Sequence, residues 1–495
     1  MDSIRTFSVT AGLTITWCLS IWTKNYEEFS QTDSITLLLH CVAILLSQFF
    51  LYAFLVKLAK NKIAPDLLNA TYCVFNLYTV VLVHIGTIAR LGATLSLLLI
   101  AGLLIGFYSL FKLISKGTLS VKLVHALVVL FVLQVFGDFL WNQHQGEAKL
   151  AETAKFPKHF TFPKFKQTPN VYLISFDALI PEAIAAKFLN IEEIEYISVM
   201  RDADLRIFKN AFSDRVPTKE SLNSILAMDL AYFDSMPAPE RYLFASGQIN
   251  SPLYEIFRRN GYKVQFFYSS SYFGASHKAK LDHYGVANDG GLCDHIDNDY
   301  SLMGYCLSIF SDFRVKFFEK GHSEYPKLLI DRIKEVGKSP NNWLTLAYVY
   351  SPGHTKTSFD PYNSEHLRKY GEAFREKRDF EAAAYIKELI RAIYENDPSA
   401  VLLIFGDHGA WISRGLWQKK QIAENSPLTR EEIFQDRHAI AAALYPKDFC
   451  RDDFEEPIGI VRIGRNIVKC LSGGKDPLPA FYQANDDDFL EYKYE

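Results

Sequence analysis

Val401-Leu-Leu-Ile-Phe-Gly-Asp-His-Gly409 is the stretch on which the reading of the chain turns. An uninterrupted apolar run, Val401 to Phe405, gives way abruptly to Gly406, Asp407, His408 and Gly409. A run this short and this apolar, bounded by turn formers, has the pattern of a strand buried on both faces of a parallel sheet. In open α/β sheets, side chains that do chemistry gather at the carboxyl ends of such strands. A carboxylate and an imidazole side by side there, between glycines that let the backbone turn closely, suit a divalent cation. The competing explanation is an ordinary Asp-Gly turn with a surface histidine.

The surrounding chain supplies the sheet. Val171–Phe176, Leu205–Phe212, Lys263–Tyr268, Trp343–Tyr350 and Ala439–Tyr445 read as further strands. Helical runs fall at Glu182–Leu189, Thr218–Met228, Pro252–Asn260, Tyr305–Glu319, Tyr325–Val336 and Phe380–Glu395. Strands alternating with helices over such a length predict an α/β domain, residues 169–495, with a mostly parallel central sheet covered on both faces.

The N-terminal part is different. Phe7–Trp22, Ile35–Val56, Leu67–Ala89, Leu91–Ile114 and Leu119–Trp141 are apolar runs of the length a bilayer asks of a helix, roughly 20 residues. The first is the shortest, but it lacks a clear small-residue cleavage site and is read as a retained helix rather than a signal peptide. Residues 1–141 are therefore expected to form a five-helix transmembrane bundle. Arg5, Lys57, Lys60, Lys62, Lys112, Lys116 and Lys122 cluster in alternate loops, which places those loops and the N-terminus in the cytoplasm. An odd number of spans then puts everything after Trp141 outside.

Residues 142–168 link the two parts. Lys155-Phe-Pro-Lys-His-Phe-Thr-Phe-Pro-Lys-Phe-Lys166 suits either a segment lying along lipid headgroups or an extended connection with incidental aromatics. The net charge of −3 gives no sign of a nucleic-acid partner. Of the 7 cysteines, Cys293, Cys306, Cys450 and Cys470 lie in the exported part. There an even number suggests disulfides, with the local pairings Cys293–Cys306 and Cys450–Cys470 expected.

Asp177 ends the first strand, Thr218 opens a helix in Val216-Pro217-Thr218-Lys219-Glu220-Ser221, His354 follows the Trp343–Tyr350 run, and Asp407-His408 ends the strand quoted above. Each has a local explanation as a turn former or helix cap. Parallel strands, however, bring such ends to one edge. Asp177, Thr218, Asp407 and His408 make a four-ligand shell of hard oxygens and one imidazole, suited to zinc or manganese and less to magnesium. A hydroxyl becomes an effective nucleophile when a cation favours its alkoxide, and a helix starting at Thr218 would aim amides at an anion. A phosphoryl or sulfuryl centre fits better than an acyl group. His354 and His438 are candidates for binding substrate or a second metal.

These residues resemble the alkaline phosphatase/sulfatase superfamily. With five spans, the chain looks most like membrane phosphoethanolamine transferases and phosphoglycerol transferases of the lipoteichoic-acid-synthase type. The matching pieces are the strand ending in Asp177, Pro217-Thr218-x-x-Ser221, Gly406-Asp407-His408-Gly409, and the helix ahead of the last strand with Asp379 near its start. The resemblance covers roughly residues 170–447. It implies an alkaline-phosphatase-like fold, Thr218 as nucleophile, and Asp177, Asp407 and His408 as metal ligands. Those transferases usually carry Glu where this chain has Asp177, and Ser-Asp-His-Gly where it has Gly406-Asp407-His408-Gly409. No Cys-x-Pro-x-Arg sequence is present, so formylglycine chemistry is not implied.

The expected protein is a multi-pass enzyme of the bacterial inner membrane with a periplasmic catalytic domain. It would move phosphoethanolamine or phosphoglycerol from a membrane phospholipid to an envelope glycan or lipopolysaccharide through a phospho-threonine. A membrane-anchored phosphodiesterase or sulfatase-like hydrolase, and a non-catalytic envelope protein with the same fold, are the alternatives.

Overall fold

Apolar runs too short for helices, rich in β-branched and aromatic residues, become strands here because both faces of the sheet are covered. A computed structural model of the chain describes residues 156, 160–268, 273, 281–286, 325–351, 353, 364–410 and 429–478, with isolated positions between 11 and 137. The chain divides into two units, Met1–Lys149 with Asp289–Glu319, and Leu150–Asn288 with Lys320–Glu495.

In the first unit, the described positions inside Phe7–Trp22, Ile35–Val56, Leu91–Ile114 and Leu119–Trp141 are all helical. Along the second of these runs Leu38, Val42, Leu46, Phe49, Phe50 and Phe54 are exposed and Cys41 is buried. Most residues of the five expected spans lie outside the described residues, Leu67–Ala89 entirely. Among the described residues no helix is long and apolar enough to cross a membrane. Cys293, Cys306 and the helix expected at Tyr305–Glu319 also lie outside them.

The second unit is built in the order β1 (Val171–Phe176), α1 (Glu182–Leu189), α2 (Glu195–Asp202), β2 (Arg206–Phe212), α3 (Thr218–Ala227), α4 (Pro252–Arg259), β3 (Lys263–Tyr268) and β4 (His283–Val286). It continues through α5 (325–337) to β5 (Trp343–Val349), α6 (Ser364–Ala373), α7 (Phe380–Asn396), β6 (Val401–Gly406), α8 (Arg430–His438), β7 (Ala439–Tyr445), β8 (Ile458–Gly459) and α9 (Ile460–Leu471). These strands form an 8-stranded sheet in the order β4-β3-β5-β1-β6-β7-β2-β8. β7 runs antiparallel to β6 and β2, and the other pairings are parallel. The α/β domain with a mostly parallel sheet, expected from the alternation of runs, is the observed architecture.

Period-two alternation divides the core into two layers. Val171, Leu173, Leu344, Leu346, Tyr348, Val401, Leu403 and Phe405 pack with α3, α4 and α9 on one face. Tyr172, Ile174, Phe176, Ala347, Val349, Leu402 and Ile404 pack with α1, α2, α5 and α7 on the other. Burying a large side chain of this kind contributes roughly 1.5–3 kcal/mol, so the sheet is held from both sides.

Residues 160–168 run along the first layer. Phe160 is buried against Tyr232, and Phe165 meets Phe257 and Tyr262 edge to face at 5.1 and 5.8 Å. The amides of Thr161 and Lys166 donate to the carbonyls of Pro477 and Leu471. Cys450 and Cys470 form a disulfide, with Cα atoms 5.9 Å apart, that ties the end of α9 to the loop after β7.

Candidate active site

Strand register decides which end-of-strand side chains can meet. Phe176 pairs with Gly406 on one side and with Val349 on the other. One residue further on, the Asp407 amide donates to the Phe176 carbonyl at 3.0 Å and the Asp177 amide to the Val349 carbonyl at 2.9 Å. Alternation carried past Leu173 and Ser175, and past Leu403 and Phe405, puts Asp177 and Asp407 on the layer where α3 lies. Asp177 and Asp407 are both 0% exposed, and His408 is 2% exposed.

The turn after β6 is held tightly. A Cβ at Gly406 would lie 2.4 Å from the Leu179 carbonyl oxygen, and one at Gly409 would lie 2.2 Å from that of Asp436. Glycine is therefore the residue both positions accept. Asp407 Oδ1 accepts the amides of Ala178 at 3.0 Å and His408 at 2.8 Å, fixing the carboxylate plane.

His408 Nδ1 lies 2.8 Å from the Gly409 carbonyl, which can only accept, so Nδ1 carries a proton and Nε2 is turned to the carboxylates. Nε2 is 3.2 Å from Asp177 Oδ1 and 3.4 Å from Asp407 Oδ2. Burial pushes the Asp407 carboxyl up, against the opposing pull of His408, the Thr218 hydroxyl and the Ala178 amide. Burial opposes protonation of His408 as well, yet the two carboxylates outweigh it and hold the imidazole charged well above its ordinary range.

Two buried carboxylates against one imidazole leave negative charge over, which is costly without a further cation. Ligand atoms from Asp177, Asp407 and His408 all lie within 4.8 Å of one another. Tetrahedral zinc with bonds near 2.0–2.2 Å separates neighbouring ligand atoms by about 3.4 Å, close to the spacings seen around Nε2. The three residues fit a divalent cation.

Thr218 opens α3 but does not cap it. It is the first helical residue; the capping position is Pro217, which has no side-chain hydrogen bond to give. The cap explanation available from sequence is thereby removed. The residue is 8% exposed, and its hydroxyl lies 3.5 Å from the Tyr348 phenol oxygen. Tyr348 was not apparent as a site residue in the sequence. Its signal is its parity, one position before the end of β5 and on the same layer as Asp177.

His438 ends α8, where antiparallel β7 begins beside the end of β6. Its Nδ1 lies 2.7 Å from the Ser213 carbonyl and its ring stacks on Phe434 at 4.5 Å. Burial pushes its pKa down to about 4, helped by Arg437, Arg215 and His408, so the ring is neutral with the Nε2 lone pair available. The Gly409 amide donates to the Arg437 carbonyl at 2.7 Å, which joins the Asp407–His408 turn to the segment carrying His438. His354 lies outside the described residues; Gly353 before it, at φ 73°, donates its amide to the Asp177 carbonyl at 2.9 Å.

Asp379 does not join this group. Its carboxylate accepts the amides of Glu195 at 2.9 Å and Tyr196 at 3.2 Å, capping α2, whose own capping residue Ile194 has no side-chain acceptor. The carboxylate that the family resemblance marked serves here as a helix cap.

Neither a family model nor a curated protein sequence matches the chain. Among solved structures it is similar to the zinc complex of the C-terminal periplasmic domain of EcEptC from Escherichia coli, at 14% identity over 64% of this chain and 87% of that one, TM-score 0.41. It is similar to the lipoteichoic acid synthase LtaP from Listeria monocytogenes at 15% identity over 67% and 79% of the two chains, TM-score 0.38. The soluble domain of lipooligosaccharide phosphoethanolamine transferase A from Neisseria meningitidis is similar at 9% identity over 64% and 93%, TM-score 0.36.

Proposed function

We propose that the protein transfers a phosphorylated head group, phosphoethanolamine or phosphoglycerol, from a membrane phospholipid to a hydroxyl of an envelope glycan or lipopolysaccharide. One observation carries the reading. A threonine hydroxyl that caps no helix lies at the N-terminus of α3, beside a buried carboxylate pair and an imidazole oriented as a metal ligand.

Asp177, Asp407 and His408, with the Thr218 oxygen, would hold a divalent cation, zinc or manganese; when bound it supplies Lewis acidity that favours the alkoxide and offsets phosphoryl charge. The protein's own groups do the rest. The Gly409 carbonyl fixes the His408 tautomer, and the first amides of α3 face an incoming anion. In the first half, the Thr218 Oγ1–phosphorus bond forms as the phosphorus–oxygen bond to diacylglycerol breaks, and the threonine proton ends on the diacylglycerol oxygen. In the second, an acceptor hydroxyl attacks the phospho-threonine, its oxygen bonds to phosphorus, and the proton returns to Thr218. His438, whose ring is neutral, is assigned to take the acceptor's proton in passing, and His354 to substrate or a second cation.

The apolar runs and basic loops support an anchored enzyme with the N-terminus in the cytoplasm and this unit in the periplasm, where a lipid donor lies within reach. The test uses full-length protein in detergent with head-group-labelled phospholipid. Label on Thr218 by intact mass, chased onto an added glycan or glycolipid hydroxyl, is the expected result. Label released only as free head group makes the enzyme a hydrolase, and no label on protein or product removes the catalytic reading.

A further inference from the structure

We propose that Tyr348 is a catalytic residue whose phenol donates a hydrogen bond to the reacting oxygen of Thr218 and, after transfer, to an oxygen of the phosphoryl group carried there. The inference rests on Thr218 being the nucleophile. Its geometric basis is the 3.5 Å separation of Tyr348 Oη and Thr218 Oγ1. That distance is at the outer limit for a hydrogen bond, so satisfying the hydroxyl in the resting site does not explain a tyrosine there. Among the described residues the phenol has no other hydrogen-bond partner.

The side chain is 2% exposed, packed against Tyr268 and Phe273 with ring centroids 5.2 and 5.9 Å away. Phenylalanine would make those contacts equally well, and a buried hydroxyl usually has a partner. Non-bridging oxygens of a phosphoryl group on Oγ1 fan out around that atom, and a donor so near meets one at roughly 2.6–3.2 Å. The register of β5 on β1, with Ser175 opposite Tyr348, aims the phenol into the layer shared by α3, Asp177 and Asp407. The phenol donates a hydrogen bond and gives up no proton in either half of the reaction.

A preorganised donor of this kind contributes about 100-fold to turnover. The test compares full-length wild type, Tyr348→Phe and Thr218→Ala, each in detergent with saturating zinc. Three quantities are read: kcat and KM with labelled phosphatidylethanolamine, bound zinc, and the Kd of orthovanadate, which presents phosphoryl-like oxygens without turnover. For Tyr348→Phe we expect kcat to fall about 100-fold with KM and bound zinc within twofold, and orthovanadate to bind at least 10-fold more weakly. Unchanged orthovanadate affinity overturns the proposal, as does a loss of zinc that accounts for the loss of rate. Full turnover by Thr218→Ala is the separate result that removes the nucleophile reading itself.

Discussion

His408 Nε2 lies 3.2 Å from Asp177 Oδ1, although the two residues leave different strands of the sheet. With Asp407 Oδ2 at 3.4 Å on the other side, the imidazolium stands where a bound cation would otherwise balance the carboxylates. Asp407→Asn should therefore weaken zinc or manganese binding by at least about 100-fold, beyond what loss of an outer hydrogen-bond partner costs. The increase in Tm on adding metal should vanish with it, since stabilisation by a ligand follows its affinity. Metal analysis after dialysis, with melting in the presence and absence of metal, checks both. Wild-type metal content in this variant would mean that the cluster is an ion pair and no more.

Thr218→Ala separates chemistry from folding. Because Pro217 occupies the capping position of α3, the substitution should cost less than the 0.5–2 kcal/mol of a lost cap. Turnover should be abolished while metal affinity falls modestly, three ligands being left. Melting of the full-length variant beside wild type, together with a single-turnover assay, reads the two effects apart. Wholesale unfolding would make Thr218 structural.

Asp214 predicts a pH dependence of stability away from the candidate ligands. It is 5% exposed, and its Oδ2 accepts the Val461 amide at 2.8 Å at the start of α9. Burial pushes its carboxyl up to about 6 from 3.8, against the pull of the Val461 amide and the Arg215 guanidinium. A proton held more tightly by the folded chain stabilises it below the unfolded value, and that contribution is lost as pH rises from about 3.8 through about 6. The gap corresponds to about 3 kcal/mol at most. Asp214→Asn cannot titrate, so its Tm relative to wild type should increase between pH 4.5 and pH 7. A difference constant across that window would contradict the assignment.

Asp379→Ala should behave oppositely to the site variants. It leaves the α2 amides of Glu195 and Tyr196 without their acceptor, at a cost of about 0.5–2 kcal/mol. Turnover per folded molecule and metal affinity should match wild type. A selective loss of activity at unchanged Tm would return this carboxylate to the site.

Much of this unit is legible along the chain. β1, β3, β7 and α1 occupy the runs Val171–Phe176, Lys263–Tyr268, Ala439–Tyr445 and Glu182–Leu189, as their apolar patterns indicate. The sequence pattern does not mark α2, β4, α6, α8, β8 or α9. β4 and β8 are only 4 and 2 residues long, too short for alternation to register, and their strand character comes from the neighbours they pair with. α2 draws its cap from Asp379, a residue distant in sequence, so no local start signal precedes it.

The strand pattern, the glycines around Asp407-His408 and the types of residue at strand ends are local properties, and the amino-acid sequence alone determined them. They sufficed for the fold class and for Asp177, Thr218, Asp407 and His408 as candidates. Which carboxylates share a pocket was settled by register: Phe176 opposite Gly406, not one residue away, keeps Asp177 and Asp407 on one layer, because a slip of one would send a side chain to the other face. Tertiary structure also assigned Asp379 to a helix cap and brought Tyr348 to Thr218. Both depend on contacts between elements far apart along the chain, and no local pattern of residues encodes such a distance.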